Sequence, residues 1–191
     1  RPKKRMPIPL NDLQRVQQQC WHADDELRWI VAAISDTGCR MAEIVGLSKT
    51  DVRLDGDIPH ISIRPRPWRR LKTVSSERDI PLVGSALWGI TRAYQSTNSE
   101  MLFPRYNDGV STNSNSASAA LSKWLKQQTN PDCTMHSFRH SFRDRLRAVE
   151  CPIELTDALG GWSTDGIGAA YGQGYSLQLK QKWLSAIVLK P

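Results

Sequence analysis

The stretch Thr37-Gly38-Cys39-Arg40-Met41-Ala42-Glu43-Ile44-Val45-Gly46-Leu47 organises the reading of this chain. Gly38 stops the helix before it, and the apolar residues after Arg40 begin another. An arginine just after a glycine break falls in the first turn of a helix. Its charge there adds to free backbone N–H groups, a natural site for a phosphate. Glu43 lies three residues on. It can hold the guanidinium in place, or the two can form an ordinary surface pair.

Upstream, Asp24 to Ser35 reads as a helix with acids in its first turn and Leu27, Ile30, Val31 and Ile34 at helical spacing. Downstream, a short helix covers Arg40 to Val45. Three short strands follow, near Asp51 to Leu54, His60 to Arg64 and Glu77 to Leu82, with an Asp55–Gly56 turn after the first. Helices resume at Ser85, where Leu87, Ile90 and Tyr94 line one face. Residues 107–118 read as a loop, and Ala119 to Gln128 as a helix. Thr134 to Val149 is another helix, with Thr134 at its N-cap. Pro152 opens a short helix that ends near Leu159, before Gly160 and Gly161. A last helix, Ser176 to Leu189, turns Leu179, Trp183, Ile187 and Val188 inward. The fold class is therefore α+β, mainly helical with a small three-stranded antiparallel sheet.

A length of 191 residues fits one domain, and 39% hydrophobic residues supply one core, which excludes wholesale disorder. The longest apolar run, Trp29 to Ile34, is far short of the roughly 20 residues of a membrane-spanning helix. No signal peptide is visible, so the expected location is the cytoplasm. Cys20, Cys39, Cys133 and Cys151 form no C-x-x-C pair and read as free thiols, with no metal site.

The 26 basic and 19 acidic residues leave a net charge of +7, unevenly spread. Arg1, Lys3, Lys4 and Arg5 cluster in a proline-broken tail, residues 1–9. Arg64, Arg66, Arg69, Arg70 and Lys72 contain no acid among them. Arg139, Arg143, Arg145 and Arg147 face only Asp144. Clustered arginine beside a neutral-to-acidic body is the footprint of a nucleic-acid binder, against the alternative of a merely solvated basic face. Arg64, Arg66, Arg69, Arg70 and Arg143 are the candidate backbone contacts.

Two further groups carry chemistry. In His136-Ser137-Phe138-Arg139-His140, helical spacing brings two imidazoles and a guanidinium onto one face, suited to an anion or incidental to a surface helix. Leu159-Gly160-Gly161-Trp162 is followed nine residues later by Tyr171, which small neighbours leave accessible. Tyr175 is its rival.

These residues, in this order, resemble the catalytic domain of the tyrosine recombinases, the phage integrase family, over roughly residues 10–190. Thr37 to Leu47 fits T-G-x-R-x-x-E-x-x-x-L. Lys72 precedes a strand ending Arg78-x-x-Pro81-Leu82. Leu102-Phe103-Pro104 fits the family's L-F-P turn, and His136 to His140 fits H-x-x-R-H. Leu159 to Trp162, with Tyr171 nine residues on, completes the set and takes the tryptophan option.

The resemblance implies a DNA breaking-rejoining core. Tyr171 attacks a phosphodiester and forms a 3′-phosphotyrosine. Arg40 and Arg139 clamp the nonbridging oxygens. Lys72 protonates the leaving 5′-oxygen, and His136 and Trp162 bind the phosphate. Glu43 and His140 stand behind them. No cofactor, metal or ATP is implied, and the sequence carries no Walker-type loop. The implied partner is double-stranded DNA, bound by a homotetramer on synapsed sites and by a monomer off DNA, with accessory bending or directionality factors. The setting is a bacterial or phage mobile element. In the family the C-terminal segment docks on a neighbouring protomer. The helix from Ser176 can do this or close its own core. The family's N-terminal DNA-clamping domain has no room in residues 1–20. Residues 1–9 thus read as an inter-domain linker and 10–191 as the catalytic domain. A type IB topoisomerase-like activity and a decayed DNA-binding module are the alternatives.

Overall fold

The computed structural model describes residues 6–163 and 174–190. Tyr171 and the basic residues Arg1, Lys3, Lys4 and Arg5 lie outside the described residues. The elements run α1 (Leu10–Ala23), α2 (Glu26–Thr37), α3 (Met41–Val45), β1 (Val52–Arg53), β2 (His60–Ile63), β3 (Arg78–Pro81), α4 (Gly84–Ser96), α5 (Ser114–Gln128), α6 (Ser137–Ala148), α7 (Ile153–Gly160) and α8 (Leu177–Ala186). The strands form one antiparallel sheet in the order β1-β2-β3, with Ile61 opposite both Val52 and Ile80. The fold class read from the sequence is the one observed.

Helix α2 is the central element. It is buried from Trp29 to Thr37 and packs on α1, α4 and α6. Its closest neighbour is α4, because Gly89 lets the helices approach: a Cβ there would lie 2.8 Å from the Trp29 carbonyl. The buried face of α4 is accordingly mostly small (Ser85, Ala86, Gly89, Ala93) around a single larger Ile90, with Leu87 and Tyr94 at its margin. Gly38 ends α2 in the left-handed region, φ 66°. A Cβ there would meet the Phe142 ring at 2.4 Å, so this turn also seats α6 against α2.

Several boundaries differ from the sequence reading, each for a physical reason. Helix α1 goes unread in the sequence because Gln14, Gln17, Gln18 and Gln19 dilute its apolar stripe of Leu13, Val16 and Cys20. Asp24, expected in the first turn of α2, instead closes α1 in the left-handed conformation. Asp25 is the α2 N-cap, accepting the Arg28 N–H. Helix α5 begins five residues before Ala119, capped by Asn113. Its Ser and Asn residues form the outer face, while Ala117, Leu121 and Leu125 are buried. Helix α6 begins at Ser137 rather than Thr134, since Ser137 Oγ accepts the Thr134 N–H and ties off the preceding turn.

The face of α8 is rotated from the expected one. Lys180, Leu184 and Ile187 point inward, whereas Leu179 and Val188 are exposed. Lys180 lays its stem along the core and donates from Nζ to the Asp79 carbonyl of β3 at 2.7 Å. Arg145 of α6 donates to the Ile187 carbonyl at 2.7 Å. The last helix therefore closes its own core in this structure. At the other end, Ile8 is buried and exchanges two hydrogen bonds with Ser141. The domain packing thus already begins inside the stretch read as a linker.

Candidate active site

The site forms where four chain segments meet: the α2–α3 turn, the connection from β2 to β3, the start of α6, and the end of α7. Arg40 is the N-cap of α3, one position before its expected place in the first turn. Its backbone N–H is not free, because Glu43 Oε1 accepts it at 2.8 Å. What Arg40 offers is its side chain. The guanidinium donates to Glu43 Oε2 at 3.4 Å and to Ser76 Oγ at 3.1 Å.

Glu43 is buried and serves two arginines. Arg78, from β3, meets it through two contacts of 3.0 and 3.1 Å. Burial would raise the Glu43 pKa, but Arg78, and then Arg40, hold it below the usual carboxylate range. Arg78 also donates to the Leu159 carbonyl at 2.9 Å and the Ser76 carbonyl at 2.5 Å. It thereby stitches α3, β3 and α7 together under the site. The sequence motif contained Arg78 but gave it no role; the signal was a charged residue at the head of a short strand whose Ile80 and Pro81 are buried.

Arg139 is the least conventional group. It is 2% exposed, and its Nη1 donates to the Gly38 and Gly160 carbonyls at 2.8 and 2.9 Å. Among the described residues no carboxylate lies within ion-pair distance of it. Burial, followed by repulsion from Arg40, lowers its pKa to about 10, so it remains a cation at neutral pH. Arg40, Arg139 and His136 line one cavity of about 330 Å³, together with Cys39, Met41, Ser118, Ser122, Thr134 and Met135. His136 is the N-cap of α6, and its ring lies 5.6 Å from that of exposed His140, edge to face. Phe138 and Phe142 are buried on the opposite stripe.

The Leu159-to-Trp162 turn is shaped by its glycines. Gly161 sits at φ 70°. A Cβ on Gly160 would lie 1.8 Å from the Trp162 ring, so the indole folds back over that position. Both Arg139 and Arg143 stack on this indole, their guanidinium carbons 4.6 and 4.7 Å from the ring centroid. Arg143 also pairs with Asp157 at 3.2 Å.

Lys72 is exposed on the connection leading to β3. The turn just after it is tied to the site: Thr73 and Ser76 share a hydroxyl hydrogen bond of 2.8 Å, and Ser76 receives Arg40. Ser75 adds a bond to the Gly161 carbonyl at 3.2 Å. Tyr175 donates to Glu154 at 3.2 Å. Burial and that carboxylate raise its pKa, the wrong direction for a nucleophile.

The basic run 64–72 does not present the charge that counting suggests. Arg69 is corrected from a DNA contact to a structural residue. It is buried and donates to the Glu43 and Arg64 carbonyls at 2.8 and 2.6 Å, in space left by Gly46. Arg64 is paired with Asp79 at 2.8 Å and Glu77 at 3.5 Å. Arg66 is paired with buried Asp51. Arg70 and Lys72 are exposed.

Residues 10–175 match the Phage integrase family. No curated protein sequence matches the chain. Among solved structures, XerA recombinase is 17% identical, with a TM-score of 0.64 over 96% of this chain and 61% of its own. A variant of the Tn1549 transposon integrase, solved with transposon right end DNA, is 14% identical, with a TM-score of 0.62 over 94% of this chain and 65% of its own. The lambda integrase catalytic core is 15% identical, with a TM-score of 0.56 over 85% of this chain and 95% of its own. The chain thus spans less than two thirds of the length of the first two. At such identities the likeness concerns the fold, which is that of the tyrosine recombinase catalytic domain. With the family match running from the start of α1 to Tyr175, the chain belongs to the phage integrase family.

Proposed function

We propose that this chain is the catalytic domain of a site-specific recombinase that cuts and rejoins double-stranded DNA through a 3′-phosphotyrosine, without metal or ATP. The carrying observation is Arg139: a buried cation held by two carbonyls and an indole face, with no carboxylate within ion-pair distance among the described residues, beside Arg40 and His136 on one cavity. Burying a charge without a counter-charge is costly, and a phosphate oxygen entering the cavity supplies one. The pentavalent transition state carries more negative charge than the phosphodiester, so two fixed guanidiniums stabilise it preferentially.

The remaining roles follow. His136 hydrogen-bonds the phosphate at the mouth of α6. Lys72 protonates the leaving 5′-oxygen as general acid, its loop held near Arg40 through Ser76 and Thr73. Trp162 gives its face to Arg139 and keeps its indole edge for an oxygen. Tyr171 is the nucleophile, its phenolic proton passing to His136 as its oxygen bonds to phosphorus and the bond to the 5′-oxygen breaks. Each step exchanges one phosphodiester for another, so no external energy source is required. DNA is the partner, and strand exchange involves a tetramer on synapsed sites. The docking of α8 on its own fold favours a second reading, nicking and resealing by a lone protomer without exchange.

The test is covalent trapping on supercoiled plasmid at low salt with a chelator present, followed by denaturation in detergent. A protein-linked nick lost in Tyr171→Phe and retained in Tyr175→Phe is the expected result. An adduct that survives Tyr171→Phe overturns the assignment. Relaxed topoisomers without recombinant products would select the second reading.

A further inference from the structure

We propose that Arg143, held by Asp157, is a positioning residue of this site: it fixes the Trp162 indole against Arg139 and so sets where the Arg139 guanidinium points. The inference rests on the recombinase reading above and replaces the sequence expectation that Arg143 contacts the DNA backbone.

The geometry is a ladder. Arg139 and Arg143 are one helical turn apart on α6 and both reach the same indole, at 4.6 and 4.7 Å from its centroid. The Trp162 ring lies in the space a Gly160 Cβ would fill, so the glycine admits the ring to this position without itself holding it there. Two guanidiniums on one ring repel each other, so something must hold the outer one. Asp157, 4% exposed on α7, does so at 3.2 Å. Among the described residues Arg139 is otherwise held through Nη1 alone, by the Gly38 and Gly160 carbonyls. Those two bonds anchor one end of the planar guanidinium and leave its other edge facing the cavity. The indole face limits how far that edge can tilt, and the Arg143–Asp157 pair holds the indole from its outer side. A lysine at 143 could keep the ion pair but not the planar stack.

The experiment uses the 191-residue chain, supercoiled plasmid for cleavage and a labelled random-sequence duplex for binding. Arg143→Met is expected to slow adduct formation at saturating plasmid by at least about tenfold, the scale of loss when a catalytic group is misplaced. Arg143→Lys does not restore the rate, and Asp157→Asn slows it in the same direction. In a Trp162→Leu background Arg143→Met adds nothing, because the path runs through the indole. The slope of log Kd against log salt stays that of the wild type. A slope reduced by about one with an intact adduct rate marks a phosphate contact and overturns the proposal. So does an additive double variant. A wild-type chain that forms no adduct sinks the recombinase reading instead, and the Trp162 indole N–H resonance, assigned by its loss in Trp162→Leu, then decides. It must move in Arg143→Met and Asp157→Asn; a signal unmoved in both overturns the proposal.

Discussion

Two buried arginine–carboxylate pairs hold this fold together, and they differ in their surroundings. Asp36 and Arg145 meet at 2.7 Å in a balanced setting. Asp36 also accepts the Ser85 N–H at the start of α4, at 2.8 Å. Arg145 also donates to the Ser35 and Ile187 carbonyls at 2.7 Å each. One anion faces one cation, both terminal nitrogens of Arg145 donate while its buried Nε has no partner among the described residues, and the pair clamps α2, α4, α6 and the end of α8. Glu43 and Arg78 make an equally good pair, but Arg40 and Arg139 stand beside it. Among the described residues three cations stand there against one carboxylate, which pairs with only two of them. Local neutrality marks the structural pair, and local surplus marks the proposed phosphate site.

The comparison breaks most visibly at the balanced pair. Arg145→Met leaves the Asp36 carboxylate buried without a counter-charge and frees the end of α8, so stability falls by about 3–5 kcal/mol. Urea denaturation measures this directly. A loss below about 1 kcal/mol would mean that water already reaches Asp36 and that the pair does not clamp the helices.

Arg139→Met is the converse case. It removes a buried cation that no acid neutralises, at the cost of two hydrogen bonds to carbonyls. Its urea midpoint is therefore expected to move far less than that of Arg145→Met. Adduct formation, in contrast, falls about 10²–10³-fold, the usual consequence of removing one donor aimed at developing charge. Equal destabilisation by the two substitutions would erase the distinction between balanced and surplus charge.

The acid limb of stability sharpens the same contrast. The carboxyl of Glu43 is held below its ordinary pKa in the folded chain, so its contribution is fully present above the unfolded value of about 4.3 and is lost as pH falls through the folded value. Glu43→Gln should flatten the stability curve below about pH 4 relative to the wild type. An acid limb of unchanged steepness would show that Glu43 gains nothing from its two arginines.

How much of this was legible in the sequence depends on how local the cause is. Gly38 as a stop, the helix α2 and the Phe138/Phe142 stripe are set by near neighbours, and the periodicity read them correctly. Arg40, His136 and Arg139 could be named because motif spacing marks them, and the structure brings all three to one cavity. The failures are long-range. Helix α1 hides its face behind glutamines, one of which, Gln17, is buried only because Ser35 of α2 meets it at 3.0 Å. The role of Arg78 depends on Glu43, 35 residues away in the chain. Arg143 looked like a free cation because Trp162 and Asp157 come from another helix and its following turn.

The basic run 64–72 gives the finest version of the test. The sequence reading assigns four cations of this run to DNA, but pairing takes up Arg64 and Arg66, and burial takes up Arg69. Asp51 and Asp79 lie 15 residues from Arg66 and Arg64, too far for a window of charge to register. If neutralisation by Asp51 persists on DNA, Arg66→Gln leaves the salt slope of duplex binding unchanged. It lowers stability instead, since Asp51 is buried and loses its counter-charge. Arg70 is exposed, so Arg70→Gln should reduce the slope by about 0.9, one phosphate contact released from the counterion atmosphere. An equal reduction in both variants would mean that the Arg66–Asp51 pair opens when DNA arrives. The charge that binds would then differ from the charge exposed beforehand, and neutrality in the free protein would stop being a guide to which arginines are structural.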